Sequence, residues 1–196
     1  MTVAWIDTET TGLDPIDSGA FEISILVYQD VMDGDKKVHK MVEEKVFRLN
    51  PLDDEVLYHE SAAEVNGITE EEIRSYPPAA KVIPELVNFL KKYLPEDERL
   101  IFAGYNCKFD YSHISALLFR HGGHVMEDYF NGRLIDVYDL VKKAAKYLPK
   151  TKNQKLETMT KALGIEHTAH GALSDIKATR RLYEVIYLIT HKGENK

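Results

Sequence analysis

The order in which the hydrophobic periods change along the chain constrains its fold more than any other feature. Residues 3–6 form a short apolar run. Residues 21–28 are rich in β-branched and aromatic side chains, and residues 38–49 form a third run, with the turn signal Asp33-Gly34-Asp35 between these two. Three strand-like runs in succession predict an antiparallel meander, which Asn50-Pro51 ends. The period then changes. Thr69-Glu70-Glu71-Glu72 is a capping box that starts a short helix. Residues 79–94 follow Pro78 as an amphipathic helix, with Pro84 marking a kink or restart. Strands are expected over 100–105 and 133–136. Helices are expected over 109–121 (closed by Gly122), 137–148, 156–163 (ending at Gly164) and 173–191. A meander followed by alternating helices and strands indicates an α/β fold, a mixed sheet with helices on its faces.

No repeat, linker or low-complexity tract divides the 196 residues, so a single domain over 1–196 is expected. A hydrophobic fraction of 44% suffices for a full core without covalent staples. The lone cysteine, Cys107, excludes an internal disulfide and a paired-cysteine zinc site. No basic-then-apolar leader precedes the first strand, and no apolar run is long enough to span a membrane. A cytoplasmic setting without a membrane partner is the expectation. The net charge of −7 argues against a protein that simply coats nucleic acid, since attraction to phosphates needs a positive field. It weighs less against an enzyme whose acids are concentrated on metal ions.

Three polar clusters interrupt this pattern. Asp7 and Glu9 close the first apolar run, in Trp5-Ile6-Asp7-Thr8-Glu9. Positions two apart on a strand share a face, so these carboxylates repel unless a cation sits between them. Such hard oxygen ligands suit magnesium or manganese, although two solvated acids where a strand leaves its sheet would read the same way. In the second cluster, Asn106-Cys107-Lys108-Phe109-Asp110, a buried strand ends and Asp110 opens a helix. Strand C-termini are where α/β sheets place their sites. By itself Asp110 reads better as a first-turn acid and Asn106 as a turn residue. The third cluster is His167-Thr168-Ala169-His170-Gly171-Ala172-Leu173-Ser174-Asp175. Five residues on a helix turn by about 500°, so His170 serves one site with Asp175 only from the loop before the helix. A loop histidine titrating near neutrality is a candidate base, although most of the chain's eight histidines must be bland.

The order and spacing of the clusters carry more than any one of them. The chain resembles the DEDD exonucleases of the proofreading type, in the histidine-containing, DnaQ-like subgroup. That subgroup includes the epsilon subunit of bacterial DNA polymerase III, ribonuclease T and oligoribonuclease. The motif D-x-E-T-T-G stands as Asp7 to Gly12, N-x-x-F-D as Asn106 to Asp110, and H-x-A-x-x-D as His170, Ala172 and Asp175. Asn50-Pro51 and Val65-Asn66-Gly67-Ile68-Thr69 match the family's connector, with Asn66 where V-H-G-I-T has histidine. This reads as a surface-loop change. The resemblance runs from about residue 3 to about residue 189.

The resemblance implies a ribonuclease H-like five-stranded sheet with helices on both faces. It implies two divalent ions, Mg2+ or Mn2+, held by Asp7, Glu9, Asp110 and Asp175, with His170 as general base. Asp7, Glu9 and Asp175 would hold the first ion, and Asp7 would bridge to the second, which Asp110 reaches directly or through water. Thr10, Thr11, Gly12 and Leu13 would meet the terminal nucleotide, Leu13 as a wedge. Asn106 and Phe109 are further substrate candidates, although Phe109 reads more readily as a core aromatic. The expected partner is a single-stranded 3′ end, DNA before RNA, cut to nucleoside 5′-monophosphates. A DNA polymerase is a second candidate partner, and the oligomeric state stays open. Only residues 191–196 follow the last helix, which argues against a long polymerase-tethering tail. The alternatives are an exoribonuclease and an inactive binding module on the same fold. Lys142, Lys143, Lys146, Lys150, Lys152 and Lys155 form a basic stretch that either tracks phosphates or is a solvated face.

Overall fold

The computed structural model describes residues 1–191 apart from Glu55, Asp97 and His170. The expected meander is present: β1 (Thr2–Thr10), β2 (Ala20–Asp33) and β3 (Lys36–Arg48) pair antiparallel. β4 (Leu100–Gly104) and β5 (Phe130–Asp136) then add in parallel, giving a five-stranded sheet in the order β3-β2-β1-β4-β5. The helices are α1 (Glu60–Asn66), α2 (Glu70–Ser75), α3 (Ala79–Lys92), α4 (Cys107–Arg120), α5 (Val137–Lys143), α6 (Leu156–Ala162) and α7 (Ala172–Thr190).

Strand alternation sorts the core into two layers. Ala4 and Ile6 of β1 and Ile23, Ile25 and Val27 of β2 face α3 and α4. Val3, Trp5 and Leu26 point the other way, onto α5, α6 and α7. α2 is capped as the sequence indicates, Thr69 Oγ1 accepting the Glu72 N–H at 3.2 Å. No described helix is long and apolar enough to cross a membrane.

Three expectations need correction, and one helix is an addition to them. β1 runs on to Thr10 because β2 continues to pair with it, so the acids at 7 and 9 sit within a strand. Pro84 neither breaks nor restarts α3, which is one helix from Ala79 to Lys92. The helix expected over 137–148 stops at Lys143, and a separate 3₁₀ turn follows over Ala145–Tyr147. Leu148 precedes Pro149, whose ring disfavours helical backbone there, and Leu148 is extended at φ −101, ψ 156. α1 was not expected at all. Its seven residues are too few to display a hydrophobic period.

Candidate active site

β1 and β4 run parallel only from Val3↔Ile101 to Trp5↔Ala103. Beyond that pair the strands leave each other, and Asp7 lies just past the point of departure. Gly104 stands at the mouth of this crevice, where a Cβ would come within 2.8 Å of the Ile6 carbonyl oxygen. Only glycine allows β4 so close to β1. The crevice lies at the carboxyl ends of parallel strands, where open α/β sheets bind ligands.

Alternation carries the side chains of Asp7 and Glu9 to the face that Val3 and Trp5 share with α7. The first turn of α7 brings Asp175 to that face. Ligand oxygens of Asp7, Glu9 and Asp175 all lie within 4.8 Å of one another. Asp110 arrives from the opposite face, in the first turn of α4, and is 3% exposed. Its Oδ1 accepts the Thr8 backbone N–H at 2.9 Å and the Thr8 hydroxyl at 2.8 Å. The end of β1 is thus held between the N-termini of two helices, each delivering one carboxylate.

This geometry is electrostatically costly without a cation. Burial, then the charges of Asp110, Asp175, Glu9 and Glu22, hold the Asp7 carboxyl well above its ordinary range. Burial and the neighbouring Asp175, Glu22 and Asp110 push Glu9 up to about 8. Burial lifts Asp110 to about 7, against the opposing pull of the Thr8 hydrogen bonds. Carboxylates that resist ionisation together, yet present oxygens to a common point, have the chemistry of a hard divalent-cation site. Glu22, which sequence reasoning passed over, adds to this field. It lies opposite Glu9 in the ladder, with Arg48 Nε 2.8 Å from its Oε2.

A cleft of about 330 Å3 adjoins the acids, lined by Thr8, Glu9, Thr10, Gly12, Leu13, Phe109 and four residues of α1 (Ser61, Ala62, Val65 and Asn66). Leu13, 83% exposed, stands at this cleft as an unpacked apolar side chain. Phe109 is half-buried and lines the cleft, so it is not the core aromatic that its spacing favoured. Thr10 and Thr11 are buried, and their hydroxyls shape the turn: Thr10 Oγ1 donates to the Gly12 carbonyl, and Thr11 Oγ1 accepts the Gly19 N–H. Asn66 is no bystander on a surface loop. Its Nδ2 donates to the Thr10 carbonyl at 3.0 Å, joining α1 to the end of β1.

Asn106 is placed differently from the acids. It is exposed, sits in the left-handed region at φ 62, and lines a second groove of about 600 Å3 with Tyr105, Tyr138, Asn153, Gln154, Lys155 and Leu156. Of the basic stretch, Lys155 lines this groove. Lys142 pairs with Asp139 at 2.5 Å and lies over the Tyr138 ring. Asp136 is the N-cap of α5. Its carboxylate accepts the N–H groups of Tyr138, Asn106 and Cys107, each at 3.0 Å. His170 lies outside the described residues. His167, the bland neighbour by sequence, is buried with Nε2 2.6 Å from Asp175 Oδ1.

The exonuclease family model RNase_T matches residues 4–183. The mitochondrial oligoribonuclease of Saccharomyces cerevisiae is 24% identical over 185 residues, covering 89% of this chain and 62% of that protein. A PolC-type DNA polymerase III of Thermotoga petrophila is 27% identical over 183 residues, 93% of this chain but 12% of the polymerase. Among solved structures, E. coli exonuclease I in complex with a dT13 oligonucleotide superposes with a TM-score of 0.72 at 22% identity. That match covers 98% of this chain and 42% of the other. The chain therefore spans less than two thirds of each of these proteins, and the superposition establishes the fold.

Proposed function

The chain belongs to the RNase_T exonuclease family, and on that premise we propose that it is a metal-dependent 3′–5′ exonuclease releasing nucleoside 5′-monophosphates. The observation that carries this reading is the meeting of Asp7, Glu9 and Asp175 at the end of β1, with Asp110 behind them and the cleft alongside. Asp7, Glu9, Asp175 and Asp110 would hold two divalent cations, Mg2+ or Mn2+. Such ions supply Lewis acidity, lowering the pKa of the attacking water and neutralising charge on the phosphate and the leaving oxygen.

The chain's own groups do the rest. His170 accepts the proton of the attacking water, an assignment supported by its spacing from Asp175 in the motif. Backbone groups of Thr10 and Gly12 receive the terminal sugar, and Leu13 and Phe109 flank its base, as their place around the cleft supports, whereas Thr11, buried and outside the lining, only holds the turn behind them. The strand leading to that nucleotide passes the groove of Tyr105, Asn106, Tyr138 and Lys155, where rings and a cation suit bases and phosphates. The carboxylates themselves argue against an inactive binding module, since a surface needing only affinity gains nothing from acids facing phosphates.

Single-stranded DNA is the proposed substrate, on the D-E-T-T-G form of the first motif and the connector. The oligoribonuclease relative favours a second reading, short RNA. The test is incubation of matched end-labelled DNA and RNA oligomers with Mg2+, resolving the products by size. Mononucleotide release from DNA at the higher kcat/KM supports the first reading, and the reverse order supports the second. Failure to degrade either oligomer overturns both.

A further inference from the structure

The proposed chemistry makes no use of His167, yet no other described histidine touches a site carboxylate so closely. Its side chain is 4% exposed, and its Nε2 lies 2.6 Å from Asp175 Oδ1. The other ring nitrogen, Nδ1, is 3.1 Å from Thr160 Oγ1 on α6. Thr160 is itself buried, its hydroxyl 2.9 Å from the Leu156 carbonyl and 3.0 Å from that of Glu157. The imidazole is therefore gripped at both nitrogens, between α6 and the first turn of α7.

We infer that His167 is a positioning residue: held by Thr160, it fixes the Asp175 carboxylate through Oδ1 and so presents Oδ2 to the cation site shared with Asp7 and Glu9. This rests on the divalent-cation reading of that site. Asp175 is anchored through its backbone N–H, which donates to the Gly171 carbonyl at 3.0 Å, but its side chain faces two like charges. Repulsion from Asp7 and Glu9 drives that carboxylate away from the point where all three must meet. A donor on Oδ1 opposes the drift. A carboxylate that ligates through one oxygen and accepts an N–H on the other is a recurrent outer-sphere device of metal sites. The contact of Nδ1 with Thr160 Oγ1, a hydroxyl itself anchored on the Leu156 and Glu157 carbonyls, fixes the orientation of the ring that points Nε2 at Asp175. His167 thereby differs in task from His170, three positions away.

The test measures Mn2+ binding by calorimetry on the full chain, alongside thermal melting in chelator. His167→Ala is expected to weaken Mn2+ binding on the order of 10–100-fold. The Mn2+ concentration for half-maximal nuclease rate should rise in step, and turnover should largely return in excess Mn2+. His167→Gln, whose amide N–H2 reaches the place of Nε2, is expected to recover most of the affinity. Thr160→Val, which releases only Nδ1, should weaken binding less than His167→Ala. A merely structural histidine would lower the melting temperature and leave Mn2+ affinity within about twofold of wild type, and that result overturns the inference. So does a His167→Gln variant that binds Mn2+ no better than His167→Ala. Should His167→Ala fail to fold, Thr160→Val binding Mn2+ within about twofold of wild type has the same force. Mn2+ binding by the wild-type protein is read separately, so loss of the cation reading itself is distinguishable.

Discussion

The acids at the end of β1 work as a set, and single substitutions within it separate catalysis from stability. Asp7 is pressed by three other site carboxylates and by burial. Asp7→Asn should nearly abolish turnover, because it removes the oxygen proposed to serve both cations. The metal-free melting temperature should hold or rise, since one member of a repelling set is gone. Near wild-type activity of this variant in Mg2+ would sink the two-cation assignment. His170→Ala should cost on the order of 10²–10⁴-fold in rate, the usual range for a lost general base. Mn2+ affinity should persist, because His170 is not proposed as a ligand. At saturating metal, the rate of the wild-type protein should climb through an ionisation near neutrality and level off above it, and the variant should lose that rise. Loss of Mn2+ binding along with activity would instead make His170 a ligand.

At the scale of elements, Asp136 ties two strand–helix junctions together. Its carboxylate caps α5 through the Tyr138 N–H and also holds the Asn106 and Cys107 N–H groups at the start of α4. Asn106 adopts its left-handed backbone in that grip. Asp136→Ala should lose an N-cap and two charge-assisted hydrogen bonds, roughly 2–4 kcal/mol in denaturant unfolding. The start of α4 also carries Asp110, so the same change should lower kcat as well as stability. Asp136→Ala with unchanged kcat would show that α4 keeps its place without the tie. α1 has the opposite character. It is short and largely exposed, and its link to β1 is the bond from Asn66 to the Thr10 carbonyl.

For the molecule as a whole, proton and cation compete for one place. Glu9 and Asp110, at about 8 and about 7, hold protons more tightly folded than unfolded, and Asp7 is shifted the same way. A raised carboxylate stabilises the fold below its unfolded value, and that contribution is lost as pH rises through the folded value. In chelator, the melting temperature should therefore fall between about pH 5 and 8. Added Mn2+ should raise it by several degrees at pH 8 and little at pH 5, because protons displace the ion at the lower pH. An equal Mn2+ effect at both pH values would show that these carboxylates do not hold the ion. Polarity of digestion belongs to this scale too, since the residues around the cleft are proposed to receive the 3′-terminal nucleotide. A 3′-phosphate should stop or strongly slow digestion and a 5′ block should not, and ladders shortened from the 5′ side would contradict the proposed direction.

The linear chain by itself determined the meander, the two strands that follow, the capped α2 and the three acidic motifs. Each of these is a local period or a fixed spacing within one element. It also placed Asp7 and Glu9 on one face, because alternation along a strand needs no partner. Tertiary structure alone decided that this face is the one α7 covers, while Asp110 comes from α4 on the other side. It alone made Asn66 a tie to Thr10, and it turned Phe109 to the cleft. It also set His167 against Asp175, eight positions apart, with Thr160 behind it. α1 escaped because seven residues hold barely two turns, too few for a period to show. Periodicity reads one element at a time, whereas a hydrogen bond across elements depends on how two of them pack. No spacing in the chain encodes that packing.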